Sequence, residues 1–349
     1  MDLADFDYDL PEAAIAQHPA EPRDAARLLV DRHGEPGGGV EHRTVADLPR
    51  LVRPGDVVVV NTTRVLPARL RLRKETGGEV EVLLLERGAT GAWEALVRPG
   101  RRIRPGTVLS PGPGLEVHVG GPGPGEGTRL VELRVTGDDP GADELAVLDR
   151  YGAVPLPPYI TAPLDDPDRY QTIFADRPGS VAAPTAGLHL TAPVLAGCRE
   201  AGARIESVEL VVGMGTFRPM SSAKVEDHHM HAERYRVPPA TLAACDEARS
   251  AGGRVVAVGT TTVRALESAA LSGRSEGRTE LFIHRPWAWR TVDALMTNFH
   301  LPRSSLLVLV DAFVGARWRE LYATALAEGY RFLSFGDAMF LSRVGGDAR

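Results

Sequence analysis

Four short segments hold most of the residues able to do chemistry. The first, Ala183-Pro184-Thr185-Ala186-Gly187-Leu188-His189-Leu190-Thr191, sets a Pro, a Gly and a lone His between an extended run and a helix. Val212 to Phe217 adds Gly213, Gly215 and Thr216, and Val258 to Thr262 adds Gly259, Thr260 and Thr261. Thr297 to Pro302 adds Asn298 and His300. Glycine lets a ligand approach the backbone, hydroxyls and N–H groups give directed hydrogen bonds, and helix entrances favour anions. Such junctions predict one composite site built from several loops.

The histidines have competing uses. Asp227-His228-His229-Met230-His231-Ala232-Glu233 packs three of them between acids. His228 and His231 could share a face in a metal site, but the spacing is not H-E-x-x-H and no second motif completes it. Acid/base or hydrogen-bonding roles are expected instead, and no metal. His189 and His300 each follow a small or polar turn, where a lone His is either structural or an acid/base group. Arg264 and Glu267, three apart on one helix, read as a helix pair or as ligand contacts.

The elements that must position these groups follow from period and punctuation. Val57 to Val60 is an unbroken β-branched run, suited to a strand buried on both faces. Asn61-Thr62-Thr63-Arg64 follows its carboxyl end, where open parallel sheets bind ligands. Between residues 67 and 150 short alternating strands without helices predict a small barrel or sandwich, at Arg69–Leu72, Glu79–Leu83, Trp93–Val97, Leu115–Val119 and Leu130–Val135. Beyond Val154-Pro155-Leu156-Pro157-Pro158, helices and strands alternate. Helices are expected over 192–201 (capped by Thr191), 240–251, 263–271 (capped by Thr260) and 317–327. Strands are expected over 204–212, 255–258, 291–296 and 330–335, with 304–313 a helix or a buried strand. The expected fold is α/β: a mainly parallel sheet domain (1–66 and 151–349) interrupted by an all-β, barrel-like domain (67–150).

Composition narrows the function classes. The 349 residues allow two domains, and the two cysteines, Cys198 and Cys245, have neither CxxC spacing nor a His cluster, so a reducing cytoplasm is expected. No apolar run is long enough to span a bilayer, and the acidic start lacks a signal-peptide layout. Net charge −6 argues against tight non-specific nucleic-acid binding, leaving two local basic runs, Arg64 to Lys74 and Arg98 to Arg104. No Gly-rich segment matches a dinucleotide fingerprint or a P-loop.

Together the segments resemble the S-adenosylmethionine:tRNA ribosyltransferase-isomerase family of the queuosine pathway. The matching stretches include Asp5 to Pro11, Arg27 to Val30, Asn61 with Thr63 to Arg69, Pro155 to Ile160 and Tyr170 to Thr172. They continue with Ala183 to His189, Gly213 with Gly215 to Phe217, Glu226 to His228 with Met230, His231 and Glu233, and Val258 to Thr261. Val263-Arg264, Leu266 to Ser268, Thr297 to Pro302 and Gly336 to Met339 complete them. Residues 75–150 match weakly apart from Gly78 and Val80 to Leu83. The resemblance implies an α/β domain with a barrel insertion. It implies transfer of the ribosyl part of S-adenosylmethionine to 7-aminomethyl-7-deazaguanine at the tRNA wobble position, giving epoxyqueuosine and releasing adenine and methionine. S-adenosylmethionine is then a co-substrate, with no permanently bound cofactor, and the tRNA anticodon loop is the partner of a monomer.

The chemistry calls for a base beside the sulfonium, hydrogen bonding or proton donation to the leaving purine, and carboxylate or aromatic faces near the cation. His189, His228, His231 or His300 includes the base; Glu233 and Glu267 are candidates for cation or ribose contacts. Thr185, Ala186 and Gly187, Gly213 to Thr216, and Gly259 to Thr261 form a backbone cradle, with Asn61, Thr63 and Asn298 beside them. Arg64, Arg69 and Arg264 would contact tRNA phosphate or the methionine carboxylate. Two positions depart from the family pattern: Thr62 stands where an Asn or Asp is usual, and Val211 where a His is common. They motivate an alternative, ribosyl transfer to a small acceptor; a non-catalytic RNA-binding module is the other.

Overall fold

The computed structural model describes all residues except 34–37, 89, 101–102, 126, 137–142, 214–219, 221 and 344–349. Gly215, Thr216, Arg101 and Arg102 therefore lie outside the described residues. The chain divides into two compact units: Met1–Thr63, Pro158–Asp176 and Ala183–Arg349 form the first, Arg64–Pro157 and Arg177–Ala182 the second. Against the boundaries read from the sequence, the second unit also takes 64–66, 151–157 and 177–182.

In chain order the strands begin with β1 (Arg27–Asp31), β2 (Val40–Thr44), β3 (Val57–Asn61), β4 (Thr63–Val65), β5 (Arg69–Lys74), β6 (Glu79–Arg87) and β7 (Trp93–Arg98). They continue with β8 (Val108–Gly112), β9 (Leu115–Pro122), β10 (Thr128–Val135), β11 (Gly152–Ala153), β12 (Arg177–Ser180) and β13 (Arg204–Leu210). The last are β14 (Glu233–Arg236), β15 (Val255–Val258), β16 (Glu276–Thr279), β17 (Ala294–Asn298) and β18 (Ala338–Ser342). The helices are α1 (Glu144–Tyr151), α2 (Ala192–Glu200), α3 (Pro239–Ser250), α4 (Thr260–Ser272), α5 (Ser305–Val314) and α6 (Trp318–Ala327).

The first unit is built on a nine-stranded sheet in the order β16-β14-β13-β3-β15-β17-β18-β1-β2. Its parallel heart is β13-β3-β15-β17; β18 turns antiparallel to β17, β1 is parallel to β18, and β2, β14 and β16 pair antiparallel. The sheet is thus mixed, with the parallel strands in its centre. The valine run explains why. Val57, Val58, Val59 and Val60 are all buried and strands flank β3 on both sides; the first polar residue of the strand is Asn61, at its carboxyl end.

Several element assignments shift. Ser304 caps α5 by accepting the Leu307 N–H, so that apolar segment is a helix and not a strand. Thr260 is the first residue of α4 and not its cap; Gly259, at φ +88°, holds the cap position. Tyr330 to Phe335 is not a strand. Leu333 sits at φ +70°, which breaks an extended run, and Tyr330 and Phe332 pack around Phe299. The closing strand is β18, which begins eight residues after Tyr330. Gly336 makes that turn possible: a Cβ there would lie 2.4 Å from the Arg331 carbonyl oxygen. Gly336→Ala is expected to cost about 1–3 kcal/mol, read as a lower urea midpoint.

The second unit contains a closed six-stranded antiparallel barrel, β5-β6-β7-β10-β9-β8, shut by β5 pairing with β8, with β11 added on β5. The sequence reading missed β8, whose end carries Pro111 and Gly112. On β5, Leu70 and Leu72 are buried while Arg71 and Arg73 point outward. Across the ladder Arg71 faces Glu81 and Arg73 faces Glu79, so acids offset part of this basic run.

Candidate active site at the strand ends

Register places the expected loops together. Val208 pairs with Asn61 and Val258 with Met296, so the parallel strands β13, β3, β15 and β17 end at the same edge. Antiparallel β18 starts there, with Ala338 opposite Asn298, which brings Asp337 to that edge. Arg27, at the start of β1, donates its backbone N–H to the Asp337 carboxylate at 2.8 Å.

Thr185 to His189 folds as a 3-10 turn packed against the end of β17. The α2 entrance beyond it is not an open anion site. Thr191 caps it, accepting the Val194 N–H and donating its hydroxyl to Asp24 at 2.8 Å. What meets β17 is side-chain chemistry. The Thr185 hydroxyl donates to Asn298 Oδ1 (3.0 Å), and Asn298 Nδ2 meets His189 Nε2 (2.9 Å) and the Asp337 carbonyl (3.4 Å). The turn is tightly seated: a Cβ on Gly187 would lie 2.9 Å from the Phe174 ring. A Cβ on Gly259 would lie 3.6 Å from Ala186, so the α4 entrance adjoins this turn. No side chain caps α4, and Thr261 Oγ1 is buried without a hydrogen-bond partner. The first turn of a helix leaves N–H groups without an intrahelical acceptor, and here the Thr261 hydroxyl stands beside them.

His300 sits on the loop after β17. Its Nε2 lies 3.1 Å from Thr297 Oγ1, its N–H donates to Tyr322, and its carbonyl accepts the Tyr8 hydroxyl. Both imidazoles are buried. Burial lowers His189 from its ordinary 6.5 to about 4, Arg331 and Arg23 acting in the same direction. Burial alone lowers His300 to about 3. Both rings are neutral near pH 7. Their folded pKa values lie below the unfolded value, so they destabilise as pH falls from about 6.5 toward those values. The expected loss at pH 5 is about 2 kcal/mol per histidine. Urea midpoints at pH 7 and pH 5 measure it, and His300→Gln should shrink the difference.

A second cluster lies on α4 and β14. Buried Glu233 pairs with buried Arg264, and Glu233 Oε1 also accepts the Gly213 N–H at 3.2 Å. Arg264 Nε donates to the Leu281 carbonyl at 3.1 Å, while its Nη2 is buried without a partner. Glu267 does not pair with Arg264. It is fully buried and accepts the Trp287 indole N–H and the backbone N–H groups of Arg290, Thr291 and Val292. Such a carboxylate has its lone pairs committed to shaping the 287–292 turn. Asn61 is similarly occupied, with contacts to the Leu210 N–H and carbonyl and the Thr63 N–H; the Thr63 hydroxyl also reaches the Leu210 carbonyl. Half-buried His228 packs edge-on against Phe282, its pKa lowered by burial and by His229 and His231, whereas His231 is exposed. Arg64 and Arg69 belong to the second unit. The Thr62 hydroxyl donates to the Val208 carbonyl, and the main-chain N–H of Val211 donates to the Arg234 carbonyl.

Residues 3–341 match the protein family described as queuosine biosynthesis protein. An S-adenosylmethionine:tRNA ribosyltransferase-isomerase of Rubrobacter xylanophilus is 54% identical over 343 residues, covering 98% of each chain. The chain belongs to the queuosine biosynthesis protein family. A relative of the same name from Thermus thermophilus is 50% identical over 97% of this chain and 99% of its own. The crystal structure of an S-adenosylmethionine tRNA ribosyltransferase from Thermotoga maritima is also similar. It has a TM-score of 0.54 and 37% identity, covering 96% of this chain and 99% of that one. Within this family member the sequence reading overlooked Arg23, Arg331 and Phe282. Asp337 it noted only within a matching stretch. The turn carbonyls Arg23 holds, of Asp168, Gln171 and Leu188, are far from it in the chain, so no local pattern marks it.

Proposed function

We propose that this chain transfers and isomerises the ribosyl moiety of S-adenosylmethionine onto 7-aminomethyl-7-deazaguanine at the tRNA wobble position. The product is epoxyqueuosine-tRNA, and adenine and methionine are released. The observation that carries this reading is full-length family membership combined with the Thr185–Asn298–His189 network at the strand ends. Acid/base work falls to the set His189, His300, His228 and His231. Gly259 to Thr261, Thr185 to Gly187 and Gly213 to Thr216 cradle the co-substrate, with Glu233 facing its cation or ribose. Arg264 Nη2 supports a role toward the methionine carboxylate, and Arg64 and Arg69 are assigned to tRNA phosphate. Glu267 and Asn61 shape loops in this reading. The chain acts as a monomer in the cytoplasm, with no permanently bound group; among the described residues no helix is long and apolar enough to cross a membrane.

Incubation with S-adenosylmethionine and tRNA carrying the aminomethyl base, followed by mass spectrometry, tests the reading. The expected result is free adenine and an epoxyqueuosine-bearing tRNA in equal amounts. Adenine release only with a small acceptor would overturn the tRNA assignment, and salt-dependent tRNA binding without any adenine release would overturn the enzyme assignment.

A further inference from the structure

The Asn298 amide has a fixed orientation. One edge faces the Asp337 main-chain carbonyl, which can only accept, so that edge is the NH2 group; the other edge, Oδ1, takes the Thr185 hydroxyl. The same NH2 group lies 2.9 Å from His189 Nε2. An N–H donated to Nε2 makes that nitrogen an acceptor, and a neutral ring then carries its proton on Nδ1. No group among the described residues meets His189 Nδ1, nor is that atom among the sealed, unpartnered polar atoms. His300 is different. Its Nε2 faces a hydroxyl, which can donate or accept, so neither tautomer is imposed there.

We propose that Asn298, oriented by Thr185 and Asp337, is a positioning residue that holds His189 as the Nδ1–H tautomer and presents it to the substrate as a hydrogen-bond donor. The Nε2 lone pair, already engaged, is withheld from proton abstraction, so the base beside the sulfonium is another of the four histidines. A donating imidazole suits an acceptor atom on the leaving purine, where charge accumulates as the glycosidic bond breaks. The inference rests on the ribosyl-transfer reading for what His189 faces, but not for its tautomer.

The experiment has two arms. Two-bond proton–nitrogen correlation spectra of ring-labelled histidines, assigned with His189→Gln, report which nitrogen of His189 is protonated in the free protein. Wild type should show Nδ1–H and Asn298→Asp should show Nε2–H, because a carboxylate can only accept. Steady-state kinetics should then show kcat at least about tenfold lower in Asn298→Asp and Asn298→Ala, with KM for S-adenosylmethionine within about threefold of wild type. A wild-type ring protonated on Nε2 overturns the proposal, as does a variant whose KM rises while kcat holds. Should the wild-type chain release no adenine, the functional reading fails while the spectra still decide the tautomer.

Discussion

His189→Ala is expected to lower turnover by about two to four orders of magnitude, the range for removing one positioned proton-handling or charge-stabilising group. The ring is buried and neutral, and it is held by Asn298 at the common edge of the parallel strands. Its loss removes a directed hydrogen bond from a site where water substitutes poorly. KM for S-adenosylmethionine should move much less than kcat. Exposed His229, outside the acid/base set, makes the useful contrast: on the same assay His229→Ala should cost far less than His189→Ala. Equal losses at the two positions would mean that the strand-end network is not the reacting centre. Single-turnover measurement of adenine release separates the chemical step from product dissociation.

Arg264→Ala should cost about 3–5 kcal/mol of stability, because it leaves the Glu233 carboxylate buried without its cation. Glu233 would retain the Gly213 N–H, which stabilises a carboxylate less than a guanidinium does. Replacing both members, as in Arg264→Met with Glu233→Leu, should restore much of that stability, since no uncompensated charge remains. The double variant should nevertheless bind S-adenosylmethionine more weakly by calorimetry, having lost the unpartnered Nη2. A single variant that unfolds at the wild-type urea concentration would show the pair to be solvated in solution.

Much of the fold was legible because local pattern tracks burial. The Val57 to Val60 run and Val255 to Val258 read as buried strands, and Thr191 announced a helix start by capping chemistry, whereas 304–313 fitted either a helix or a buried strand and the Ser304 cap decided it. The alternation of Arg69 to Leu72 marked a half-buried barrel strand. Pattern failed at Tyr330 to Phe335. Apolar residues there satisfy burial by aromatic packing around Phe299, and the alternation says nothing about backbone pairing. Ala338–Ser342 won the place beside β17 and β1 through long-range ladders on both sides, which no short window contains.

The site divides along the same line. Residue types on turns and at strand ends were enough to nominate His189, His300, Asn298 and Gly259, because chemistry-bearing groups there stand out locally; Glu233, the first residue of β14, was nominated through the family resemblance. Their partners were not. Asn298 and His189 are 109 positions apart, and Glu233 and Arg264 are 31. Within one helix Arg264 and Glu267 suggested each other, yet each found a different partner. Spacing along a chain limits which groups are able to meet. Packing of the sheet and its loops selects which do, and with that selection comes the protonation of each ring and the work left to each carboxylate.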